Sequence, residues 1–408
     1  MPSSHHTMTI LVINCGSSSI KFQLYKMPDG EVLAKGAVER IGEDDSSLAC
    51  ERKGESLRKQ FPVADHRQAM DVMISVLVGD NGVVEDTREI GAVGHRMVHG
   101  AEEFTGSIVI TDEVIASVER YGELAPLHNP VTLAGVRAAM AGLPGVPQIA
   151  CFDTAFHTTI PEKAYMYALP YQLYEKHGVR RYGFHGTSHR YVARRAAELL
   201  GIGEYEINCI TVHLGNGCSA TAVRGGRSVD TSMGLTPLEG LVMGTRSGDF
   251  DPAILFYLAD KGYDMPTLNA LCNKQSGLLG ISGQSNDMRT LAEKAAAGDP
   301  RAQLAFDIFC YRVKKYIGAY SAVLGRTHAV VFTGGIGENS PAVRAAACDG
   351  LEHFGIVLDP GANQRTLGRK EGKITTPESP IQVLVVPTDE EKAIAADTYE
   401  IARKGERK

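Results

Sequence analysis

The amino-acid sequence predicts an α/β protein built from two similar domains. Strand-like and helix-like patterns alternate along the chain, which is typical of this class. The length of 408 residues exceeds the ~150 residues of a usual single domain. A weak internal repeat aligns Gly16 with Gly215, so that each half contains an apolar strand, a small polar turn and a return strand.

The first two strands follow from an apolar run and a clean alternation. Ile10–Asn14 is an apolar strand, and a polar turn over Cys15–Ser19 follows it. The return strand over 20–25 alternates between two faces. One face is formed by Ile20, Phe22 and Leu24, and the other by Lys21, Gln23 and Tyr25. Further short strands are expected over 30–62.

Helical periodicity appears in several later segments. These segments lie near 65–78, 112–121, 130–141, 188–200 and 300–324, and a last helix begins near Asp389. For the helix over 188–200 we expect Ser188 as the N-cap and Gly201 just beyond the end, because these residue types favour those positions.

Composition excludes some classes of protein. Apolar residues make up 43% and charged residues 22% of the chain, which is ordinary for a globular protein. The net charge of −6 is unfavourable for nucleic-acid binding, which needs a basic surface. No stretch approaches the ~20 apolar residues of a membrane span. The eight cysteines form no C-x-x-C pair and are typical of reduced thiols, so we expect a cytoplasmic protein. From the charge and the lack of a long apolar stretch we expect no nucleic-acid partner and no membrane partner.

Glycine accounts for 44 of the 408 residues, above the usual ~7%, and part of the excess lies in turns suited to phosphate. The chain has no P-loop motif and no H-E-x-x-H zinc motif. Gly215–Ala220 matches the G-x-G-x-x-A spacing of a dinucleotide-binding fingerprint. That fingerprint must lead into a helix, but the residues here are predicted to form a strand, so we reject this interpretation. The turns at Leu214–Gly217 and Cys15–Ser19 would instead direct backbone N–H groups at an anion, with Lys21 nearby. Each turn taken alone is equally consistent with a plain hairpin.

A third glycine-rich motif lies over 329–339, where a strand runs into Gly334, Gly335 and Gly337 and a helix follows Ser340. Glycines here would let a flat ligand lie against the backbone, and a helix N-terminus favours anions. The motif therefore suits an adenine nucleotide, although a tight strand-to-helix turn without ligand remains the alternative.

Two arginines and a histidine are held in glycine-flanked turns. Arg96 lies in Gly94–Gly100 and Arg246 in Gly244–Asp249. Guanidinium groups bind phosphoryl and carboxylate oxygens in a bidentate manner, so both arginines are candidate substrate ligands. His185 precedes a helix and is either a functional or a structural histidine.

Carboxylates complete the candidate set. Asp153 ends the apolar strand over 149–152, and Glu390 follows the strand over 383–386. Either could instead cap or stabilise the start of a helix. Asp287 and Arg289 are ordinary residues when taken alone.

Taken together, these motifs resemble the acetokinase family. The resemblance runs from about residue 9 to 402, in family order, and rests on the segments 14–21, 94–100, 182–189, 213–217, 334–339 and 387–390. It implies two duplicated ribonuclease-H-like domains around a nucleotide cleft, as in actin, sugar kinases and chaperone ATPases. The implied domains are 8–153 with 386–408, and 154–385, in a homodimer.

The resemblance also implies reversible phosphoryl transfer from ATP to acetate, giving ADP and acetyl phosphate, with Mg²⁺ or Mn²⁺. The implied catalytic residues are Asp153, His185 and Arg246, and the implied metal ligands are Asn14 and Glu390. The acetate site would consist of Arg96, Val98, Leu127, Phe184 and Pro237. The ATP site would consist of Ser17, Ser19, Lys21, His213, Leu214, Gly215, Asn216, Gly217, Asp287, Met288, Arg289, Gly334, Gly335, Ile336, Gly337 and Glu338.

Two positions depart from the family pattern, since Cys15 replaces the commoner alanine and Met288 replaces an aromatic residue found in some members.

Acetate is already ionised at neutral pH and needs no general base. We therefore expect Asp153 to act through the Mg²⁺ shell or by orienting other groups, rather than as the proton acceptor the family describes.

Two alternatives remain at this point. A propionate or butyrate kinase of the same family would have a larger acid pocket, whereas Val98 favours the smaller one. A nucleotide-regulated binding protein of the actin-like superfamily would bind ATP without a pocket for a small acid, and would leave the turns of Arg96 and His185 without a purpose.

Overall fold

Both halves of the chain are built on mixed β-sheets flanked by helices, in a computed structural model that describes residues 6–80, 82–124 and 129–405. The chain divides into two compact units, which are Met1–Ala155 with Asp389–Lys408 (unit 1) and Phe156–Thr388 (unit 2). The predicted α/β class is confirmed.

The strands of unit 1 are β1 (Met8–Gly16), β2 (Ser19–Met27), β3 (Glu31–Glu39), β4 (Ser47–Arg52), β5 (Glu55–Gln60), β6 (Ile90–Met97), β7 (Ile108–Val109) and β8 (Gln148–Phe152). Its α-helices are α1 (His66–Leu77), α2 (Asp112–Arg120), α3 (Asn129–Gly142) and α15 (Glu390–Gly405). The described strands pair in the order β5-β4-β3-β2-β1-β6-β8-β7. β1 is antiparallel to β2 and parallel to β6, and β6 is parallel to β8.

Helices cover both faces of the central strands of unit 1. One face buries Ile20, Phe22 and Leu24 of β2 against residues of α1 and α3, as the alternation predicts. On the other face Lys21 is exposed, but Tyr25 is buried against α15. The second face of β2 is therefore polar only at the end that leads into the β1–β2 turn.

Small residues permit the close packing of these helices. A Cβ on Gly94 of β6 would lie 2.3 Å from Thr398 Oγ1 and 2.7 Å from Ile394 Cγ2 of α15. On the opposite face, a Cβ on Gly135 of α3 would lie 2.2 Å from Cys15 Sγ. Burial raises the pKa of the Cys15 thiol to about 12, so this sulfur is an inert packing group.

The strands of unit 2 are β9 (Asn208–Leu214), β10 (Cys218–Arg224), β11 (Arg227–Thr231), β12 (Ala329–Thr333), β13 (Gly372–Lys373) and β14 (Gln382–Val385). Its α-helices are α4 (Glu162–Tyr165), α5 (Gln172–His177), α6 (Gly186–Leu200), α7 (Ala253–Asp260), α8 (Met265–Lys274), α9 (Gly277–Ser282), α10 (Met288–Ala296), α11 (Pro300–Leu324), α12 (Gly334–Asn339), α13 (Pro341–Cys348) and α14 (Pro360–Arg365).

The sheet of unit 2 repeats the topology of unit 1. Its described strands pair in the order β11-β10-β9-β12-β14-β13. β9 is antiparallel to β10 and parallel to β12, and β12 is parallel to β14. β11-β10-β9-β12-β14 therefore corresponds to β3-β2-β1-β6-β8. Gly16 and Gly215 occupy equivalent hairpins, so the weak sequence repeat reflects a real duplication of the fold.

The predicted helices are present, with one correction. α6 begins at Gly186, and His185 rather than Ser188 is its N-cap. The Ser188 hydroxyl faces inward and hydrogen-bonds His213 Nδ1 and Thr388 Oγ1, both at 2.8 Å, so it is not available for capping. Gly201 ends α6 with φ 65°, as expected. Among the described residues, none of the helices combines the length and apolarity needed to cross a bilayer.

Substitution of Gly94 tests the packing of α15 on β6. Gly94→Ala is expected to lower the free energy of unfolding by ~1–3 kcal/mol, because the new methyl group overpacks a buried contact. Urea denaturation measures this loss. Gly106→Ala is the control, since a Cβ at Gly106 meets no atom within 4 Å. Equal stability of the two variants would contradict the close contact.

Candidate active site

The candidate residues of unit 1 lie at the carboxyl ends of its parallel strands. Asn14 is near the end of β1, Arg96 is near the end of β6, and Asp153 directly follows β8. Parallel pairing brings such ends to one edge of a sheet, where ligands commonly bind. Glu390 is the first residue of α15.

The Arg96 guanidinium holds these side chains together. Its Nη2 donates to Asp153 Oδ2 at 2.6 Å and its Nη1 to Asn14 Oδ1 at 3.5 Å, and its Nε lies 3.8 Å from Glu390 Oε2. Asp153 raises the pKa of Arg96, which therefore stays charged. Burial raises the pKa of Glu390, and the Arg96 charge opposes this rise. The result is a partly buried cluster of oxygen ligands around one cation.

This oxygen set matches the chemistry of Mg²⁺. Mg²⁺ prefers carboxylate and carbonyl oxygens, and in phosphoryl-transfer sites it takes few protein ligands because substrate phosphates and water supply the rest. Across the described ranges, no group of three or more His, Cys, Asp or Glu is arranged to hold a metal ion. Asn14 and Glu390 offer one amide oxygen and one carboxylate group of the kinds that Mg²⁺ accepts.

The other predicted residues of unit 1 flank the β1–β2 turn. Lys21 pairs with Asn14 in the strand register and is exposed. Ser17 is exposed in the turn, and Ser19 is half-buried at the start of β2. The turn thus offers hydroxyl groups and an exposed ammonium group at one end of the sheet.

In unit 2, three predicted nucleotide motifs line one cavity of about 770 Å³. The first is the β9–β10 turn, which β10 continues as a strand and not as the helix of a dinucleotide fold. The second precedes and begins α10, and the third is α12. Their residues in the wall are Gly215, Asn216, Asp287, Met288, Arg289, Gly335 and Ile336. Asn286 Nδ2 donates to Asn216 Oδ1 at 3.2 Å and joins the first motif to the second.

The glycine-rich segment after β12 is a short helix and not the turn that the sequence suggested. Gly334 has φ 77°, and a Cβ there would lie 2.7 Å from the carbonyl oxygen of Leu214. Glycine is therefore required where α12 meets the β9–β10 hairpin. Glu338 Oε1 accepts from the N–H groups of Gly334 at 3.0 Å and Thr388 at 3.1 Å, so this carboxylate ties α12 to the chain beyond β14.

Arg344 of α13 fixes the walls of the cavity from behind. It is fully buried, and its guanidinium donates to the carbonyl oxygens of Gly337 and Glu338 in α12, both at 2.9 Å. It also donates to the carbonyl oxygens of Asn363 at 2.7 Å and Thr366 at 3.0 Å, at the end of α14. Burial lowers the pKa of Arg344 to about 10. The Arg344 guanidinium therefore donates to carbonyl groups at the C-terminal ends of both α12 and α14, where a positive charge is favourable.

His185 and Arg246 lie beside the β9–β10 turn. His185 has φ 57°, an uncommon conformation for a residue other than glycine, and its ring stacks on His213 with centroids 4.4 Å apart. A Cβ built on Gly217 would lie 3.4 Å from His185 Nε2 and 3.5 Å from Arg246 Nη1. The turn thus brings an imidazole and a guanidinium to one place.

Arg246 is a desolvated cation without a carboxylate partner. Its Nη1 donates to the Pro237 carbonyl oxygen at 3.4 Å and approaches Met243 Sδ at 3.7 Å. Burial lowers the pKa of Arg246, and within the described part of the chain it forms no ion pair. A guanidinium in this state is suited to binding an anion.

The predicted apolar pocket is only partly described. Val98 is half-buried just after β6. Phe184 is buried next to His185, and Pro237 adjoins Arg246 through its carbonyl group. Leu127 lies outside the described residues. His213 and Leu214 are not among the residues that line the described cavity, since His213 stacks on His185 and Leu214 is buried in β9.

Sequence reasoning missed several residues of the cavity wall, which are Asn286, Ala292, Glu293, Asn339, Ser340, Pro341, Ala342 and Gln364. Asn286, Asn339 and Ser340 adjoin motifs that were recognised, so extending those motifs by one turn would have found them. Gln364 has no local signal, because α14 reaches the cavity through the tertiary contact made by Arg344.

Comparison with known proteins was consistent across sequence and structure. The family model described as "Acetokinase family" matches residues 9–396. An acetate kinase of Thermotoga maritima is 53% identical over 97% of this chain and 99% of its own length. A crystal structure of the acetate kinase of Porphyromonas gingivalis has a TM-score of 0.92 and 49% identity, covering 97% of this chain and 99% of that one. A propionate kinase of Francisella tularensis has a TM-score of 0.90 and 41% identity, covering 97% and 100%.

Replacement of Arg344 tests its role behind the cavity. Arg344→Met is expected to lower the free energy of unfolding by ~1–3 kcal/mol, because buried carbonyl groups lose their donors. It should also weaken ADP binding, since α12 and α14 lose their common anchor. Denaturation and calorimetric titration measure the two effects.

The control is Arg326→Met, which changes an exposed arginine on the connection between α11 and β12. Retained ADP affinity in a folded but destabilised Arg344→Met protein would show that the residue supports the fold and not the cavity.

Proposed function

The chain belongs to the acetokinase family, and from this premise we propose how its own residues carry out ATP:acetate phosphoryl transfer. The proposed reaction is ATP + acetate ⇌ ADP + acetyl phosphate, by direct in-line transfer. The observation that supports it most strongly is Arg246, a half-buried guanidinium without a carboxylate partner beside His185 and the glycine turn of the 770 Å³ cavity. Such a group is suited to the charge that develops on a transferring phosphoryl group.

The nucleotide is proposed to bind in unit 2. The cavity joins an apolar wall, which includes Met288 and Ile336, to backbone at Gly215 and Gly335 that has no side chain in the way. This combination suits a flat base with phosphates that extend toward the β9–β10 turn. In unit 1, Ser17, Ser19 and Lys21 supply further donors for phosphate oxygens.

Arg96 is proposed to bind the acetate carboxylate, with Val98, Leu127, Phe184 and Pro237 around the methyl group. His185 and Arg246 are proposed to donate to the equatorial oxygens of the phosphoryl group. Mg²⁺, for which Mn²⁺ can substitute, would be held by Asn14 and Glu390 and would neutralise charge on the ATP phosphates. Catalysis then consists of positioning and electrostatic stabilisation.

Asp153 is proposed to orient Arg96. Acetate is ionised at neutral pH and has no proton to give up. The 2.6 Å bond between Arg96 Nη2 and Asp153 Oδ2 fixes the guanidinium plane, and Asp153 is 1% exposed. A carboxylate so placed keeps the arginine extended and charged, which is what carboxylate recognition requires.

Acetate is proposed as the preferred acid over propionate. The similarity to a propionate kinase shows that the fold does not separate the two substrates. Val98 carries the argument, since an alanine there would leave room for one more methylene. Such a group is worth only ~1–3 kcal/mol in an apolar pocket, so some activity on propionate is expected.

The first test compares acids. Formation of acyl phosphate from ATP is measured by trapping the product with hydroxylamine. The value of kcat/KM should be highest with acetate, lower with propionate and lowest with butyrate. The reaction should require Mg²⁺. Arg96→Ala should reduce kcat/KM for acetate by about 10³-fold. Arg58→Ala, which removes an exposed arginine of β5, is the control. ATP binding without acyl phosphate formation from any acid would overturn the proposal.

A homodimer is also proposed, through α7. This helix has the sequence AILFYLAD, yet each of its residues, all within the described ranges, is at least partly exposed. Phe256 is 72% and Tyr257 62% exposed. A helix that is apolar on all sides is normally covered, and a second copy of the chain is the proposed cover.

The double substitution Phe256→Glu with Tyr257→Glu should convert the dimer to a monomer in sedimentation experiments, because charges would be buried in the interface. Tyr205→Glu changes another exposed tyrosine and should leave the dimer intact. A monomeric wild-type protein, or a dimer that survives the double substitution, would refute α7 as the interface.

A further inference from the structure

A buried chain of side-chain hydrogen bonds leads to His185 from the interior of unit 2. Thr211 Oγ1 of β9 lies 2.7 Å from Nδ1 of His189 in α6. Nε2 of His189 lies 2.7 Å from Ser219 Oγ of β10. Ser219 Oγ in turn lies 2.9 Å from Nδ1 of His185. Thr211, His189 and Ser219 are all fully buried, so the two bonds of His189 are shielded from water, whereas the bond from Ser219 to the half-buried His185 is partly shielded.

The hydrogen bonds along this chain can run in either of two directions. Burial lowers the pKa of His189 well below its usual value, so this ring is neutral and has one donor and one acceptor nitrogen. If Thr211 donates to His189, then His189 donates to Ser219 and Ser219 donates to His185 Nδ1. If every bond is reversed, His185 Nδ1 carries the proton and donates to Ser219.

The two arrangements give His185 opposite chemistry at its other nitrogen. Phosphoryl oxygens only accept hydrogen bonds, so a neutral His185 can bind them through Nε2 only when Nε2 carries the proton. Nε2 is also the nitrogen on the side of Gly217 and Arg246. The first arrangement is therefore the one that suits phosphoryl transfer.

We propose that Ser219 is a positioning residue, which donates its hydroxyl proton to His185 Nδ1 and so keeps the proton of the neutral ring on Nε2. This inference rests on the proposed function of His185 at the phosphoryl group. His189 and Thr211 fix the direction of the Ser219 hydroxyl, and none of the three touches substrate.

The electrostatic surroundings favour the neutral ring. The titratable or charged groups near His185 in unit 2 include His213 from β9, His189 from α6 and Arg246 from the 244–248 turn. Arg246 is cationic, and a second positive charge beside it is unfavourable. The tautomer of the neutral ring, and hence Ser219, then decides whether His185 donates.

The test is the pH dependence of kcat in Ser219→Ala, with saturating ATP, acetate and Mg²⁺. At pH 8, kcat should fall about tenfold or more, as for loss of a transition-state donor, with little change in KM. The deficit should shrink only as the pH falls well below ~6.5, the ordinary histidine pKa, because the nearby Arg246 charge disfavours protonation of His185. A protonated ring carries a proton on both nitrogens with or without Ser219. A merely structural loss would not recover at acid pH.

Ser228→Ala is the matched control. Ser228 is as buried as Ser219, and its hydroxyl makes a bond of the same length, 2.9 Å, to Nδ1 of another buried histidine, His157. This variant should show no deficit that depends on pH in this way. A Ser219→Ala deficit that is constant with pH, or that matches Ser228→Ala, would overturn the proposal while leaving the kinase assignment intact. An inactive wild-type protein would instead overturn the proposed function.

A second measurement needs no activity. With ¹⁵N-labelled histidine, the ring signals of His185, assigned from their loss in His185→Asn, should show an unprotonated Nδ1 and a protonated Nε2 at pH 8 in the wild type. Ser219→Ala should show a mixture of the two neutral tautomers. A protonated Nδ1 in the neutral wild-type ring would refute the proposal directly.

Discussion

The parallel pairing of the central strands is the constraint on which the candidate residues of each unit depend. In unit 1 it sets the ends of β1, β6 and β8 side by side, so that Asn14, Arg96 and Asp153 meet although they are far apart in sequence. In unit 2 the same pairing of β9, β12 and β14 brings the glycine hairpin against α12. Duplication of one topology thus supplies two sheet edges, and different side chains give each edge its own chemistry.

The two candidate arginines illustrate that difference. Arg96 is surrounded by oxygen atoms and paired with Asp153, so its orientation is fixed before any substrate binds. Among the described residues, the hydrogen bonds of the Arg246 guanidinium go only to a carbonyl oxygen and a sulfur atom. A guanidinium that is paired with carboxylates is preorganised, but its charge is partly neutralised. An unpaired guanidinium attracts an incoming anion with its whole positive charge. The paired Arg96 is suited to a stable carboxylate ligand, whereas the unpaired Arg246 is suited to a charge that develops transiently.

Local patterns in the sequence predicted most of the fold and much of the site. Alternation in β2, the apolar runs of the central strands and the two hairpin turns at Gly16 and Gly215 each follow from short-range chemistry, and these features are present. Tyr25 is buried because α15, which comes from the other end of the chain, packs on β2. Ser188 does not cap α6 because a tertiary partner, His213, takes its hydroxyl group. Gln364, Arg344 and Ser219 make their contacts with residues that are distant in the sequence. No pattern of residue spacing therefore predicts their positions.

The contact of Cys15 with Gly135 has a consequence for how this sequence can change over time. The sulfur atom occupies the space that a methyl group on α3 would need, since the two would be 2.2 Å apart. An alanine at position 15, as is commoner in the family, would remove the sulfur atom. A Cβ at position 135 would then lie 3.0 Å from the Cβ at position 15, so alanine there would need only a small shift of α3. Substitution at one position therefore sets what the other tolerates. The two sites are expected to covary among descendants of this chain, with the larger residue on the strand always opposite a glycine on the helix.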